Sequence, residues 1–170
     1  MKDLDQENPF FLDLPTLDLT RFSNPPNPPS IGEKYLVFFL DDEFYAVPSQ
    51  KVVEVAPTIP VTVLPNAPEW LLGIANLRGE VISVVSLPAL LKKKILKPAP
   101  KPKFIILRSS ACESGVAFTA DRISEIVSVP DEEINFNGAA KSLPVFARAV
   151  HKSQTLNLID TEKLFASLKF

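Results

Sequence analysis

The chain has 170 residues, 46% of them apolar, and a net charge of −2, which suits one domain or two small lobes with a real core. That balance excludes a global field drawing in nucleic acid or an anionic membrane; the apolar runs fall far short of the ~20 residues that span a bilayer, and no basic start leads into a secretory-type apolar stretch. One cysteine, Cys112, excludes an intramolecular disulfide and fits a reducing cytosol, while 17 prolines against 5 glycines favour short strands and corners over long helices.

Residues 1–33 read as a separate, disordered tail. Six acids (Asp3, Asp5, Glu7, Asp13, Asp18, Glu33) face only Lys2 and Arg21, and the stretch 24–29, NPPNPP, is stiff and extended. Within it, 9–14 and 17–19 alternate apolar and acidic residues, a pattern that can fold onto a partner or add a strand to an open sheet edge.

From Tyr35 the pattern is that of strands. Residues 35–40, YLVFFL, predict a strand buried on both faces; 41–43 predict a turn, and 44–47, 51–55 and 59–64 short strands. Pro57 and Pro60 push the last of these toward an edge or bulge. Residues 68–71 read as one helical turn, and 73–77 with 81–85 as a hairpin around Arg78-Gly79. Ser86 is placed to cap a short helix over 88–91. Residues 92–103, with six lysines and three prolines, read as a solvated connector, and more sharply as a docking site for an acidic partner or a membrane surface. Strands at 104–107 and 115–118, joined by a turn over 109–114, then strands at 126–129, 146–150 and 155–159, complete the pattern. Asp160 or Thr161 caps a final amphipathic helix with Leu164, Phe165 and Leu168 on one face.

The second half repeats the first. A shift of 71 positions lays Ala46 on Ala117, Lys51 on Arg122, Glu54 on Glu125 and Val55 on Ile126. A shift of 74 lays Val84-Val85-Ser86-Leu87 on Leu158-Ile159-Asp160-Thr161, and Leu90-Leu91 on Leu164-Phe165. Two lobes of like architecture follow, each too small to bury much surface alone and so packed on the other, with curled sheets or small barrels that hide strand edges.

Catalytic equipment is sparse. His151 is the only histidine, Cys112 lies beside an anionic neighbour, Glu113, and the glycines form neither a phosphate loop nor a dinucleotide fingerprint. The expectation is no catalytic residue, no metal and no cofactor. The phenylalanines sit in apolar runs and not along a basic stripe, so nucleic acid is not an expected partner. What remains is surface recognition. Arg78 at a hairpin tip can bind a carboxylate bidentately or brace the protein's own groups, and its ordinary role there is a solvated charge.

Residues 35–55, 64–87 and 115–129, with the tetrapeptide Asn76-Leu77-Arg78-Gly79 as their most specific part, resemble the CheW-type adaptor domain of bacterial chemotaxis systems. The resemblance covers 35–170 and sets the domain at 34–170, with the connector near 92–103. It implies an all-β fold of two packed, intertwined five-stranded SH3-like barrels with short helices, one of them C-terminal. It implies a non-catalytic adaptor linking the regulatory domain of a CheA-like histidine kinase to the cytoplasmic tip of a methyl-accepting chemoreceptor, which docks in a groove near the lobe junction. The protein would then be cytoplasmic, at membrane-associated receptor arrays, without inserting into the membrane.

Matched to the motif, Asn76, Leu77, Arg78, Gly79 and the adjoining Glu80 are partner-binding or junction residues. Apolar docking patches fall near Val52, Val53, Ile82 and Val84, for most of which core burial is the ordinary role. Two positions depart from the family pattern: Ser83 stands for a proline and Ser86 for an aspartate, a change that keeps a capping oxygen but removes a carboxylate. With the tail and the connector they suggest a specialised member, by analogy one controlling pilus-based or light-directed movement. The alternatives are a scaffold or decoy that binds the kinase without a receptor and, more remotely, an enzyme built on a β-barrel cleft.

Overall fold

Strands and corners dominate the chain, as the prolines require. The computed structural model describes residues 32–93, 99–109, 112–137 and 144–168, all within the unit Ile31–Phe170. The expected tail up to residue 31, the middle of the connector and the centre of the 109–114 turn lie outside the described residues; Glu33, taken as the tail's last residue, already belongs to β1 and pairs with Val129. In chain order the elements are β1 (Glu33–Leu40), β2 (Glu43–Pro48), β3 (Val52–Ala56), β4 (Leu71–Leu77), β5 (Glu80–Val85), α1 (Leu87–Leu90), β6 (Lys103–Ser109), β7 (Cys112–Ala120), β8 (Arg122–Val129), β9 (Ile134–Asn135), β10 (Val145–His151), β11 (Gln154–Ile159) and α2 (Thr161–Ala166). No helix among the described residues is long and apolar enough to cross a membrane.

The fold is all-β, in two sheets. Lobe I has the order β3-β6-β7-β5-β4 and lobe II the order β8-β1-β2-β11-β10-β9. The halves of the chain do not map onto the lobes. The β1–β2 hairpin of the first half joins the second-half strands of lobe II, and the β6–β7 hairpin of the second half joins the first-half strands of lobe I. Lobe II has six strands where five are expected, because Ile134–Asn135 adds to the edge of β10.

The repeat is visible in the register. Val84 pairs with Ala117 in the parallel contact of lobe I, and Leu158 with Ala46 in that of lobe II, as the offsets 71 and 74 demand. Bulges recur at equivalent sites, Leu71/Gly73 and Val145/Ala147. The N–H of Ser86 donates to Trp70 O at 2.8 Å and that of Asp160 to Pro144 O at 2.7 Å. Even the sixth strand has a counterpart: Asn135 against Arg148 in lobe II matches an isolated bridge, Thr62 against Ile74, in lobe I. That bridge is all that becomes of the strand expected over 59–64, where Pro57 and Pro60 break the ladder. It brings Thr62 so close to Gly73 (φ 146°) that a Cβ there would run into the Thr62 carbonyl oxygen.

Two further expectations change. Residues 68–71 form a turn closed by Leu71 N–H to Pro68 O at 2.9 Å, with Leu71 already in β4, not a helical turn. Cys112 begins β7, so the turn between β6 and β7 is shorter than expected.

Three cores hold the molecule. Tyr35, Val37, Ala149, Leu156 and Leu158 fill lobe II; Ile82, Val84, Phe104, Ile106 and Ala117 fill lobe I. The largest lies between the sheets and takes Leu36, Phe38, Val47, Leu107, Val116 and Phe118 together with Leu87 and Leu91 from the first helical segment and Leu164 and Phe165 from the second. Strand β1 serves two cores at once, with Tyr35 and Val37 on one face and Leu36, Phe38 and Leu40 on the other, which is why it reads as an unbroken apolar run. Both helices are capped as expected. Ser86 Oγ accepts from Ala89 N–H at 3.4 Å and Asp160 Oδ1 from Lys163 N–H at 3.0 Å.

Candidate functional site

Strands β4 and β5 pair from Leu71↔Val85 to Leu77↔Glu80, leaving Arg78 and Gly79 as a two-residue loop. Both have positive φ, 53° and 91°, the signature of a type I′ turn whose twist matches that of the strands. Gly79 meets that demand freely; Arg78 meets it at about 1–2 kcal/mol of steric cost. Asn76 Oδ1 accepts from Gly79 N–H at 2.9 Å and braces the turn.

The guanidinium of Arg78 stands out from the tip, its side chain 79% exposed, and Nη2 reaches Glu54 Oε2 at 3.0 Å. Glu54 lies on β3, at one edge of the lobe I sheet, while β4 forms the other edge. The ion pair therefore draws the two edges together. Glu80, next along the hairpin, accepts from Arg108 Nη2 at 2.8 Å. Exposed pairs of this kind contribute about 0.2–1 kcal/mol, no more than the strain at the tip. Stability alone does not account for an arginine here.

The remaining expected residues separate. Val52 is half-buried against the central core and Leu77 against the lobe I core. Val53 is exposed. Ile82 and Val84 are corrected as docking residues: they point into lobe I and are 1% and 0% exposed. The outward phase of β5 is carried by Val81, 61% exposed. Val53 and Val55, next to Glu54 in sequence, and Val81, paired with Asn76, are exposed apolar residues on the strands that carry the charged tip and its partner. Glu54, Val55 and Val81 were missed. Strict period two, with Ile82 inside, points to Val81 outside; the Glu54 contact crosses 24 positions of sequence and left no local sign.

Lobe II holds an equivalent tip. Lys152 and Ser153 turn β10 into β11 with φ of 48° and 65°, and Lys152 Nζ lies 3.1 Å from Glu125 on β8. Lys152 is 74 positions from Arg78, and Glu125 is 71 from Glu54. His151 closes β10 half-buried, its Nε2 buried without a hydrogen-bond partner. Among the described residues no group of three or more His, Cys, Asp or Glu side chains is placed to hold a metal ion.

Comparison with known proteins gives a family match over residues 34–169, to the CheW-like domain. A probable chemotaxis protein CheW of Rhizobium etli is 32% identical over 105 residues, which are 61% of this chain; at 66% of that relative, the match spans just under two thirds of its length. Protein FrzA of Myxococcus xanthus is 25% identical, with 81% of this chain and 88% of that protein covered. Among solved structures, the scaffolding protein TtCheW of Thermoanaerobacter tengcongensis superposes with a TM-score of 0.68 at 23% identity, covering 76% of this chain and 89% of the other, a likeness of fold.

Proposed function

Since the chain belongs to the CheW-like domain family, we propose that it is a non-catalytic adaptor coupling a chemoreceptor-type sensor to a CheA-like histidine kinase in the cytoplasm, at membrane-associated arrays, with residues 34–170 as its working domain and 1–33 as an appended tail. The observation that carries this reading is the Arg78 tip: a planar, permanently charged fork held in a strained turn and exposed, on strands that also expose apolar Val81 and, beside its partner Glu54 in sequence, Val53 and Val55. Central apolar contacts with a polar rim are what a protein partner recognises. Asn76 and Gly79 shape the tip, Leu77 anchors it, and Glu80 and Glu54 set its charge. Signal passes by differential binding, because the adaptor favours one arrangement of kinase and receptor over another. The likeness to chemotaxis proteins CheW supports an output in chemotaxis.

The test is affinity capture from the cells of origin, followed by binding with the purified kinase and receptor tip. Recovery of a histidine kinase and a receptor is the expected result; kinase without receptor supports the decoy reading. Arg78→Ala should leave the fold intact and weaken one of the two contacts at least tenfold. Unchanged binding to both would remove Arg78 from the site.

A further inference from the structure

A cleft of about 320 Å³ opens on lobe II, lined by Asp42, Glu43 and Phe44 at the start of β2, Arg148 of β10, and Thr155 and Asn157 of β11. All six belong to the lobe opposite Arg78. Three of the four described arginines are committed: Arg78 to Glu54, Arg108 to Glu80, and Arg122 to the face of Phe39 at 4.0 Å. Among the described residues Arg148 makes no ion pair and no ring contact, though its charge is near enough to Glu43 to help hold that carboxyl below the ordinary range. Its Nε donates to Asn157 Oδ1 at 3.4 Å, and Asn157 Nδ2 in turn donates to Phe44 O at 3.1 Å, so the exposed guanidinium is positioned by an amide that does not neutralise it. Glu43, whose carboxyl feels the Arg148 charge, is bonded instead by Lys93 Nζ at 2.6 Å and Tyr45 OH at 2.8 Å. Asp42 lies in the β1–β2 turn with φ 62° and is exposed.

The internal repeat shows that the fold does not need this set. The positions of lobe I equivalent to Arg148, Thr155, Asn157 and Phe44 are Ile74, Val81, Ser83 and Gly115, and the same strands pair there in the same register. A Cβ at Gly115 would lie 3.0 Å from Ile106 Cγ2, so a larger residue where lobe II has Phe44 would require Ile106 to give way by a few tenths of an ångström. The polar cleft is thus an addition to the architecture.

We propose that this cleft is a second recognition site, for a protein segment bearing a carboxylate and a cation on neighbouring side chains. The carboxylate takes the Arg148 fork, and the cation takes Asp42 across the Phe44 ring. A free small molecule is disfavoured, since such sites enclose most of their ligand in apolar walls, whereas this one is open and charged. Paired charges of both signs instead fix the register of a partner whose remaining surface is buried elsewhere. The proposal does not depend on what binds at Arg78.

The experiment uses the full chain, ¹⁵N-labelled, titrated with a capped helical peptide carrying Glu and Arg four residues apart, and with the same peptide carrying Gln at both places. Saturable shifts confined to Phe44, Thr155, Asn157 and the Arg148 Nε–H are expected with the charged peptide alone. R148Q should weaken binding about fivefold or more, R148K should fall between, because it keeps the charge and loses the fork, and D42N should weaken binding while tolerating the positive φ. Cooperative unfolding of each variant checks that it is folded. No saturable shift at low-millimolar peptide, equal shifts with the Gln peptide, or shifts centred on the Arg78 hairpin would overturn the proposal. No kinase or receptor is involved, so its failure leaves the coupling role untouched, and loss of coupling leaves this result standing.

Discussion

The two hairpin tips differ more in chemistry than in geometry. Lobe I ties Arg78 to Glu54 at 3.0 Å and lobe II ties Lys152 to Glu125 at 3.1 Å, each linking the tip to a distant strand of its own sheet. A cross-seam ion pair is therefore part of how either lobe closes, and its presence at Arg78 is no mark of function. The difference lies around it. Lobe I has a guanidinium where lobe II has an ammonium, and Asn76 bracing the turn where lobe II has Val150, exposed and unable to accept a hydrogen bond. A fork with five fixed donors can hold Glu54 and still address a partner carboxylate, whereas a lysine is a strongly hydrated point charge. The case for Arg78 rests on that contrast.

The comparison breaks most visibly in the cores. Phe118, 1% exposed and edge-on to Phe165 with ring centroids 5.9 Å apart, lies in the core shared by both lobes. Phe118→Ala should cost about 3–5 kcal/mol and lower one cooperative denaturant transition seen alike by fluorescence and circular dichroism. Two separate transitions would mean that the lobes fold independently in spite of their exchanged hairpins. Ile82→Ala and Leu156→Ala, equivalent positions in the lobe interiors, should each cost about 2–5 kcal/mol. A large disparity between them would show that one lobe supports the other.

These cores mark how far the residues could be read in advance. Strands with one phase of burial, caps at Ser86 and Asp160, and the duplicated pattern were legible because burial fixes residue type every second position. The exchange of hairpins came only with the family resemblance, which implies intertwined lobes, because Leu36 and Phe38 are equally apolar whichever sheet they join. The two-residue β9 was not legible, being too short for any periodicity. At β5 Ile82 and Val84 lie in the core, the ordinary role for most of the apolar residues offered as docking patches, and not on a docking face. Residues 59–64 alternate well, yet yield one bridge, since proline removes the donors a ladder needs. The tetrapeptide 76–79 located the tip, but Glu54 and the Arg148 cleft arise from tertiary approach of separate strands.

Smaller effects sharpen the contrast. Removing the caps should cost about 0.5–2 kcal/mol, with Asp160→Ala above Ser86→Ala because its acceptor is charged and closer, 3.0 against 3.4 Å. At the tips, Arg78→Ala and Lys152→Ala should each change stability by less than about 1 kcal/mol. Only the former should impair partner binding. Equal binding defects in both would mean that the tips act as a symmetric pair.

The smallest effects belong to two latches that tie each helix to the opposite lobe. Past α1, Lys93 holds Glu43 of lobe II, and on α2, Glu162 holds Lys51 at 3.0 Å and Ser109 of lobe I at 3.1 Å. The hydrogen bond from Lys93 keeps the Glu43 carboxyl below the ordinary range, and the bonds from Lys51 and Ser109 do the same for Glu162. For Lys93, burial opposes the charge, but its bonds to Glu43 and Tyr45 outweigh it, and its pKa is raised. A lowered carboxyl contributes stability above its unfolded value, about 4.3, that is lost as pH falls through the folded value. A raised lysine contributes below about 10.4, and that is lost as pH climbs through the folded value. Glu43→Gln should therefore lower stability between about pH 5 and 10 by under about 1 kcal/mol, a deficit that shrinks beyond either limit and in high salt. Glu162→Gln should show a weaker acid-side change, since the Lys51–Glu162 pair is the more exposed at its lysine. Urea midpoints of both variants across pH would check this, and parallel profiles would show that neither latch is specific to its lobe.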